Sequence, residues 1–478
     1  MRAFWRRALL LALLGVWLAV AWWQARKPLP AGVQLTSPVC PLPLRQVSFI
    51  ADVTGADAWG RPAVSQGISA ALLQVVQQAR NFIVLDYPAL GAPAGESSPP
   101  PAAELTAALL VRRRQQPPLR ILFVIDPAAE AYGARRAPPL EQLRAAGVEV
   151  VSTRLAALPD SNPLYSSFWR LALNWWDTPG SRFGVATRRL NFKANERRLL
   201  IADDGRGALT AVFGSASPAA AEGSWSNVAL QVSGGALETL LESELAIARF
   251  SGWRGAPLPV PLLAAPTGCA EDAPPQAQDV AQLQLLTEGA IRSALLARLN
   301  ATGSGDEIDI AAGRLAERGV IEALLAAARR GARVRLLLDP SENGGSGGAA
   351  GIPNQPAASE LVTRSAGAIH VRWYRTHGER FNCALVMIAR GPLLWLSAGS
   401  AQLTRRALDG YDLTSAAALS LPRGSELAQQ AGEYFDTLWS NRAALGIEYS
   451  ADFTAYADPA QSHYWLYRLM ESSGFGPF

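Results

Sequence analysis

The sequence predicts an α/β protein of two similar lobes behind an N-terminal apolar helix. Three observations point there. Strand-like and helix-like segments alternate along the chain. Their order occurs twice. A tryptophan-bearing apolar run is framed by basic residues at the start. At 478 residues the chain is long for one core, so two domains of ordinary size are expected. A hydrophobic content of 49% with 18% charged residues belongs to a globular chain.

The N-terminal element comes first. Arg2, Arg6 and Arg7 precede the apolar residues 8–23, and Gln24, Arg26 and Lys27 close the run. It falls slightly short of the roughly 20 residues that cross a bilayer unaided. Trp17, Trp22 and Trp23 suit an interfacial belt, and the flanking arginines can snorkel. Ala19-Val20-Ala21 also fits the small-x-small pattern of a cleaved signal peptide, whereas the bulky Trp22-Trp23 pair behind it favours a retained anchor. Residues 1–27 are therefore read as a signal anchor. The three arginines ahead of the run favour a cytoplasmic tip and an extracytoplasmic body.

Residues 28–45 read as a Pro-rich stalk, 46–254 as the first lobe and 255–278 as a linker rich in Pro, Ala and Gly. Residues 279–446 read as the second lobe, and 447–478 as a tail with an amphipathic helix. Each lobe opens with a helical pattern, at 70–80 and 290–301, followed by a strand at 81–86 and 306–311. Helices at 103–114 and 320–330 lead to strands at 120–125 and 333–338. These strands end alike in Asp126-Pro127 and Asp339-Pro340, where proline cannot donate to a ladder. Strands at 148–152 and 369–374 follow. Alternation of this kind implies a mostly parallel sheet covered on both faces, and the unbroken apolar run 121–125 fits a strand buried on both sides.

Several classes are disfavoured. A net charge of +4 with scattered arginines gives no basic stripe for nucleic acid. No His/Cys cluster has metal-ligand spacing, and no cofactor is implied. The Gly344-Gly345-Ser346-Gly347-Gly348 run formally matches G-x-S-x-G, but it lacks the strand before and the helix after that a nucleophile elbow needs, so it reads as a surface loop. Of three cysteines, Cys40 and Cys269 both lie in Pro-rich segments ahead of a lobe. A disulfide between them and three free thiols remain alternative readings, because sequence does not fix connectivity.

Two stretches then repeat one pattern. The first is Asn195-Glu196-Arg197-Arg198, an apolar run through Ala202, Asp203, and the exit Phe213-Gly214-Ser215-Ala216-Ser217. The second is Phe381-Asn382-Cys383-Ala384, an apolar run through Ala389, and the exit Gly399-Ser400-Ala401-Gln402-Leu403-Thr404-Arg405-Arg406. The pattern resembles the phospholipase D superfamily and its bacterial cardiolipin-synthase-like branch, whose signature is H-x-K-x-x-x-x-D followed by a strand and G-S-x-N. The likeness runs from about Gln46 onward. It implies two lobes related by a pseudo-twofold axis, each a mostly parallel mixed sheet flanked by helices, with the two motifs meeting between them.

In that family one motif His attacks phosphorus and the other protonates the leaving alcohol, roles that an imidazole titrating near neutrality can exchange. The two Lys and the Gly-Ser hydroxyls stabilise the phosphate oxygens, and each motif Asp is expected to support a His across the site. Here Glu196 replaces His, Arg198 replaces Lys, and Asp203 is kept. In the second motif Asn382 replaces His, Ala384 replaces Lys and Ala389 replaces Asp. Thr414 falls where the family's downstream Glu is sought. Asn382 has no basic lone pair to form a phospho-adduct, and a carboxylate at 196 repels a phosphodiester anion. The three histidines are His370 on a strand, His377 on the loop entering the second motif, and His463 on the C-terminal helix. Each reads first as structural or solvated, and His377, on the loop before the second motif, is the alternative candidate for the cleft mouth. Arg198, Ser215, Ser400, Arg405 and His377 are the candidates to hold a phosphate, Arg406 beside them.

The expectation is a membrane-anchored phospholipase D-like protein without the phosphodiesterase machinery, a pseudoenzyme that binds phospholipid head groups or a protein partner. It would sit in a bacterial inner membrane as a single-pass protein with a periplasmic body. The alternative is an active phospholipid phosphodiesterase or phosphatidyltransferase that uses Glu196, His377 and Arg198 in new roles.

Overall fold

The computed structural model of the chain describes residues 1–56, 61–91, 100–176, 181–218, 225–260, 269, 279–341, 351–376, 379–441, 446–458 and 460–478. The loop 344–348 and His377 lie outside the described residues. Helix α1 (Arg2–Arg26) runs for 25 residues, about 37 Å at 1.5 Å per residue. It is long and apolar enough to cross a membrane. It exceeds the apolar run because the flanking arginines continue the helix.

The first lobe and its lead-in comprise β1 (Cys40–Pro43), β2 (Val47–Ala56), β3 (Pro62–Ser65), α2 (Ile68–Gln78), β4 (Phe82–Tyr87), α3 (Pro100–Gln115), β5 (Arg120–Ile125), α4 (Pro138–Ala145) and β6 (Glu149–Ser152). Helices α5 (Pro163–Phe168) and α6 (Arg182–Arg189) precede β7 (Leu199–Asp203), β8 (Leu209–Gly214), β9 (Asn227–Ser233) and α7 (Glu238–Phe250). The second lobe runs β10 (Val280–Thr287), α8 (Gly289–Asn300), β11 (Glu307–Ala312), α9 (Arg318–Arg329), β12 (Arg333–Leu338), α10 (Asn354–Arg364) and β13 (Ile369–Tyr374). It continues through β14 (Ala384–Arg390), β15 (Leu393–Gly399), α11 (Arg405–Leu408), β16 (Ser415–Pro422) and α12 (Glu426–Ser440). Strand β17 (Ser450–Asp452) and helix α13 (Gln461–Ser473) follow.

The sheet orders are β3-β2-β9-β8-β7-β4-β5-β6 and β1-β10-β16-β15-β14-β11-β12-β13-β17. With β2 set against β10, β9 against β16, and so on to β6 against β13, the central orders coincide. The expectation of mostly parallel sheets is corrected. Only β4-β5-β6 and β11-β12-β13 pair in parallel, where helices cross over, while the remaining pairs are antiparallel. The cause is local: each motif strand turns straight back through a short connection, β7 to β8 and β14 to β15, and a connection that short joins antiparallel strands.

The expected stalk is also not free. Strand β1 pairs with β10 at the edge of the second lobe's sheet, and Val33 is fully buried. At the opposite edge β17, from the tail, pairs with β13. A disulfide joins Cys40 of β1 to Cys269, and Cys383 is a buried free thiol.

The inner faces of both sheets share one core with α7 and α12. Phe82, Leu199, Ile201 and Phe213 come from one side, Leu385, Met387 and Leu419 from the other, with Leu241, Ile247, Ala431 and Phe435 between. Helices α2, α3 and α4 cover the outer face of the first sheet, and α8, α9 and α10 that of the second. The motif strands are thereby buried on both faces, which is why β7 and β14 are almost wholly apolar.

Candidate functional site

Backbone pairing across the seam builds the site twice over. Glu196 N donates to Leu413 O at 2.8 Å and Leu413 N to Ala194 O at 3.0 Å. In the other motif Asn382 N donates to Ser226 O at 3.0 Å and Ser226 N to Arg380 O at 3.1 Å. Each motif approach thus pairs with the segment that follows the other lobe's exit. The two Asp-Pro stops clamp these approaches. Asp126 Oδ2 accepts from Asn195 N at 2.7 Å, and Asp339 Oδ2 from Phe381 N at 2.8 Å. Their second oxygens accept from Ala128 N and Ser341 N.

The Gly-Ser exits are also duplicates. Ser215 Oγ accepts from Val228 N at 3.1 Å, and Ser400 Oγ accepts from Ser415 N at 3.1 Å. A Cβ on Gly214 or Gly399 would collide with the carbonyl of Val228 or Ser415 on the adjoining strand. Glycine is required there by the close approach of the neighbouring backbone. Both serine hydroxyls therefore close turns.

The motif side chains at the seam bond to one another. Arg198 donates from Nε and Nη2 to Glu196 Oε2 at 3.0 and 2.8 Å, and from Nη1 to the Ser215 carbonyl. Asn382 Nδ2 donates to the same carbonyl at 2.8 Å, from the opposite lobe. Asn227, which the sequence did not single out, accepts from Ser215 Oγ at 3.1 Å and from Asn382 Nδ2 at 3.4 Å.

Three motif positions lie elsewhere. Asp203 stands at the far end of β7, where it accepts from the amides of Arg80, Asn81 and Phe82 at 3.2, 2.8 and 3.0 Å. The expected support of a residue across the site is corrected: a strand's length separates this carboxylate from Glu196. Ala389 is likewise at the far end of β14, paired with Glu307. Ala384 lines a small apolar cavity with Ile291 and Leu295. Arg405 turns to the C-terminal helix, donating to Glu471 O at 3.0 Å. His463 pairs with Asp458 at 2.8 Å, and His370 is exposed on β13.

Behind the seam lies a buried ionic network that the motif reading passes over. Arg197, the spacer between Glu196 and Arg198, is fully buried. It donates to Glu288 Oε1 at 2.8 Å, Glu288 Oε2 at 3.1 Å, Glu244 Oε1 at 2.5 Å, Ser243 Oγ at 3.1 Å and Val33 O at 3.0 Å. Burial pushes the Glu288 carboxyl up to about 6, against the pull of Arg197. Asp86 accepts from Asn195 Nδ2 at 2.8 Å, and burial together with the charge of Glu244 holds its pKa well above the usual carboxylate range. Glu244 Oε2 meets no donor nitrogen or hydroxyl among the described residues.

The seam also gathers Arg314 and Arg380, which were not among the candidate residues, beside Arg406 of the second exit. The Arg314 amide donates to Gln402 Oε1 at 2.9 Å, and Gln402 Nε2 donates to Asn382 O at 3.0 Å, so Arg314 adjoins the second motif. Its guanidinium donates to Pro477 O at 3.2 Å and, among the described residues, has no carboxylate within ion-pair distance. Burial lowers its pKa, and the nearby Arg406 and Arg380 charges lower it further. Arg380 stacks over the Trp225 ring at 5.3 Å. Arg406 donates to Asp412 Oδ1 at 2.7 Å, while its Nε finds no acceptor among the described residues. Burial raises the nearby Asp126 to about 7 and Asp339 to about 6. Among the described residues no group of His, Cys, Asp and Glu could hold a metal ion.

A family model described as cardiolipin synthase, PLD-like domain, matches residues 295–439. No curated protein matches the sequence. Among solved structures, phosphatidylserine synthase from Haemophilus influenzae Rd KW20 aligns with a TM-score of 0.55 at 10% identity, over 91% of this chain and 97% of that one. Polyphosphate kinase from Porphyromonas gingivalis aligns with a TM-score of 0.47 at 11% identity, over 90% of this chain and 54% of its own. The phospholipase D family member Nuc from Salmonella typhimurium aligns with a TM-score of 0.28 at 20% identity, over 36% of this chain and 97% of its own. The first of these likenesses shows the fold; the other two carry no argument.

Proposed function

We propose, from the match of residues 295–439 to a PLD-like family model and from the shared fold, that the chain is a phospholipase D-superfamily protein and a membrane-tethered binder of anionic phospholipid head groups rather than a phosphodiesterase. The observation that carries this reading is the closure of the seam on itself. Glu196 is held by Arg198, and Asn382 is held by the Ser215 carbonyl. Those are the positions where the superfamily places its two imidazoles. A carboxylate already paired with a guanidinium is a poor nucleophile toward an anion, and an amide is none.

Binding is supported by Arg314 and Arg380, two guanidiniums in the recess without carboxylate partners among the described residues. Such groups, in the company of Arg406, lower their mutual repulsion by taking up an anion, and a guanidinium matches phosphate oxygens in bidentate fashion. Arg314 and Arg380 thus take the place of Arg198, Ser215, Ser400 and Arg405 as phosphate-holding groups, since Arg198 and Arg405 have carboxylate neighbours in Glu196 and Asp409 and both serine hydroxyls close turns.

The test uses the full chain in nanodiscs of mixed phosphatidylcholine and phosphatidylglycerol. Native mass spectrometry is expected to find phosphatidylglycerol retained. The Arg314→Ala/Arg380→Ala variant should lose it by about tenfold or more, as removal of charge-assisted hydrogen bonds predicts. Turnover of phosphatidylglycerol or bis(p-nitrophenyl) phosphate that vanishes in Glu196→Gln would refute the reading. Retention unchanged by the double variant would refute the assignment of the arginines.

A further inference from the structure

We infer that the surface formed by α5, the turns after it, α6 and the end of α13 is a membrane-docking face that lies in the head-group layer of the bilayer beside α1. This inference rests on the anchor reading of α1, and it adds that the body itself enters the membrane surface.

The contacts of α1 set the depth. Asp160 N donates to Gln24 O at 2.9 Å, Lys27 Nζ to Ala156 O at 2.7 Å, and Trp17 Nε1 to Leu164 O at 2.9 Å. From Lys27 to Trp17 the helix axis descends by about 15 Å. The chain from 156 to 164 follows it down, from the basic end of α1 into its apolar part. A helix that spans a hydrocarbon core about 30 Å thick therefore carries Leu164 below the membrane surface with it. The backbone there is suited to such a place, because residues 163–176 are helical turns that satisfy their own polar groups.

The side chains presented to the outside agree. Leu164 and Phe168 are about half exposed, and Trp175 and Trp176 are 84% and 77% exposed. A soluble surface rarely displays such a cluster, whereas tryptophan suits the interface between acyl chains and water. The face continues onto α13. Phe475, just beyond the end of α13, packs edge-on against Tyr165 at 6.1 Å and Phe192 at 5.5 Å, and Leu469 within the helix is 63% exposed. The charge also fits an anionic lipid surface. Between residues 163 and 192 there are four arginines, of which Arg170 is paired with Asp160, and a single carboxylate, Asp177. Arg406 of the seam recess lies over the Phe192 ring at 5.9 Å. The recess therefore adjoins this face, and a lipid head group reaches it sideways from the bilayer without leaving the membrane.

Site-directed fluorescence on the full chain tests this. Cys383 is buried and Cys40 and Cys269 are bonded, so an introduced surface cysteine labels selectively. Trp175→Cys, Leu469→Cys, Leu13→Cys in α1 and Gln429→Cys on α12 would each carry an environment-sensitive dye. Thermal midpoints would confirm that each variant folds. The nanodiscs would contain phosphatidylcholine and phosphatidylglycerol with a doxyl quencher near the head group or deep in the acyl chain. Dyes at 175 and 469 are expected to lose more than about half their emission to the shallow quencher. The dye at 13 should respond to the deep quencher, and the dye at 429 to neither. Quenching at 13 without quenching at 175 and 469 would overturn the docking face while leaving the anchor standing. No quenching at 13 would remove the anchor and the docking face together. Dyes at 175 and 469 shielded from both lipid quenchers and aqueous iodide would show a protein covering the face, which also overturns the inference.

Discussion

Replacing Arg197 by methionine should destabilise the protein in a manner that depends on pH. The side chain is fully buried and donates five hydrogen bonds, two of them to Glu288 and one to Glu244. Breaking a buried pair by removing one partner costs about 3–5 kcal/mol, because the other charge is left uncompensated. The pH dependence follows from Glu288. Its carboxyl is raised from 4.5 to about 6 with Arg197 in place, so the folded state holds a proton more tightly than the unfolded chain does. The resulting penalty is absent below the unfolded pKa, grows between the two values, and reaches about 2 kcal/mol above the folded one. Without Arg197 the folded value climbs further. The extra penalty then extends to higher pH, and the variant's deficit against the wild type widens from pH 5 to pH 8. For a chain of this size the deficit corresponds to a fall in thermal midpoint of about 3–5 °C at pH 8, and less than half of that at pH 5. Adding Glu288→Gln should restore most of the loss at pH 8, since removing both partners is far less costly than removing one. Differential scanning fluorimetry at the two pH values reads the outcome. An equal loss at both, with no rescue by the second substitution, would refute the argument.

Two further outcomes follow from the seam. Gly214→Ala and Gly399→Ala each place a Cβ against a neighbouring carbonyl, so each should cost about 1–3 kcal/mol of stability by overpacking. Gly424→Ala, where a Cβ meets open space, should leave the thermal midpoint unchanged. Restoring Glu196→His, Arg198→Lys, Asn382→His, Ala384→Lys and Ala389→Asp together should produce turnover of bis(p-nitrophenyl) phosphate, and that turnover should disappear when either histidine alone is reverted. A folded quintuple variant with no turnover would show that more than the motif side chains separates this cleft from the reaction.

What could be read from the sequence was whatever local chemistry dictates. The run 121–125 announced a strand buried on both faces, and β5 spans Arg120–Ile125. Asp126-Pro127 and Asp339-Pro340 marked strand ends because proline cannot donate to the ladder of an interior strand. The pairing direction of the sheets could not be read the same way: an apolar run is equally at home in a parallel or an antiparallel ladder once both faces are covered. The stalk misled for a related reason. Pro41 and Pro43 suggested a free segment, yet an edge strand tolerates proline, and β1 is an edge strand. Arg197 was concealed by its place as a motif spacer, since its acidic partners lie 47 and 91 residues away. Arg314 sits in no motif at all. The parallel bridge of Leu315 with Leu403 and the bond from its own amide to Gln402 bring it to the seam.

The duplicated features divide into two sets, and the division bears on what a motif match means. Asp126 and Asp339 clamp the motif approaches through backbone amides. Gly214 and Gly399 admit a neighbouring strand, and Ser215 and Ser400 close the turns beside them. All of these serve the backbone, and both lobes need them for the fold whatever the cleft does. Glu196 and Asn382 stand apart: Glu196 bonds the Arg198 side chain and Asn382 reaches the Ser215 carbonyl across the seam, and neither accepts from the backbone amides of its own lobe as Asp126 and Asp339 do. A Gly-Ser exit is therefore sound grounds for recognising the architecture and weak grounds for inferring phosphate chemistry. Function has to be argued from groups the fold does not require. In this chain the groups on which the proposal rests are Arg314 and Arg380, half-buried guanidiniums without carboxylate partners among the described residues.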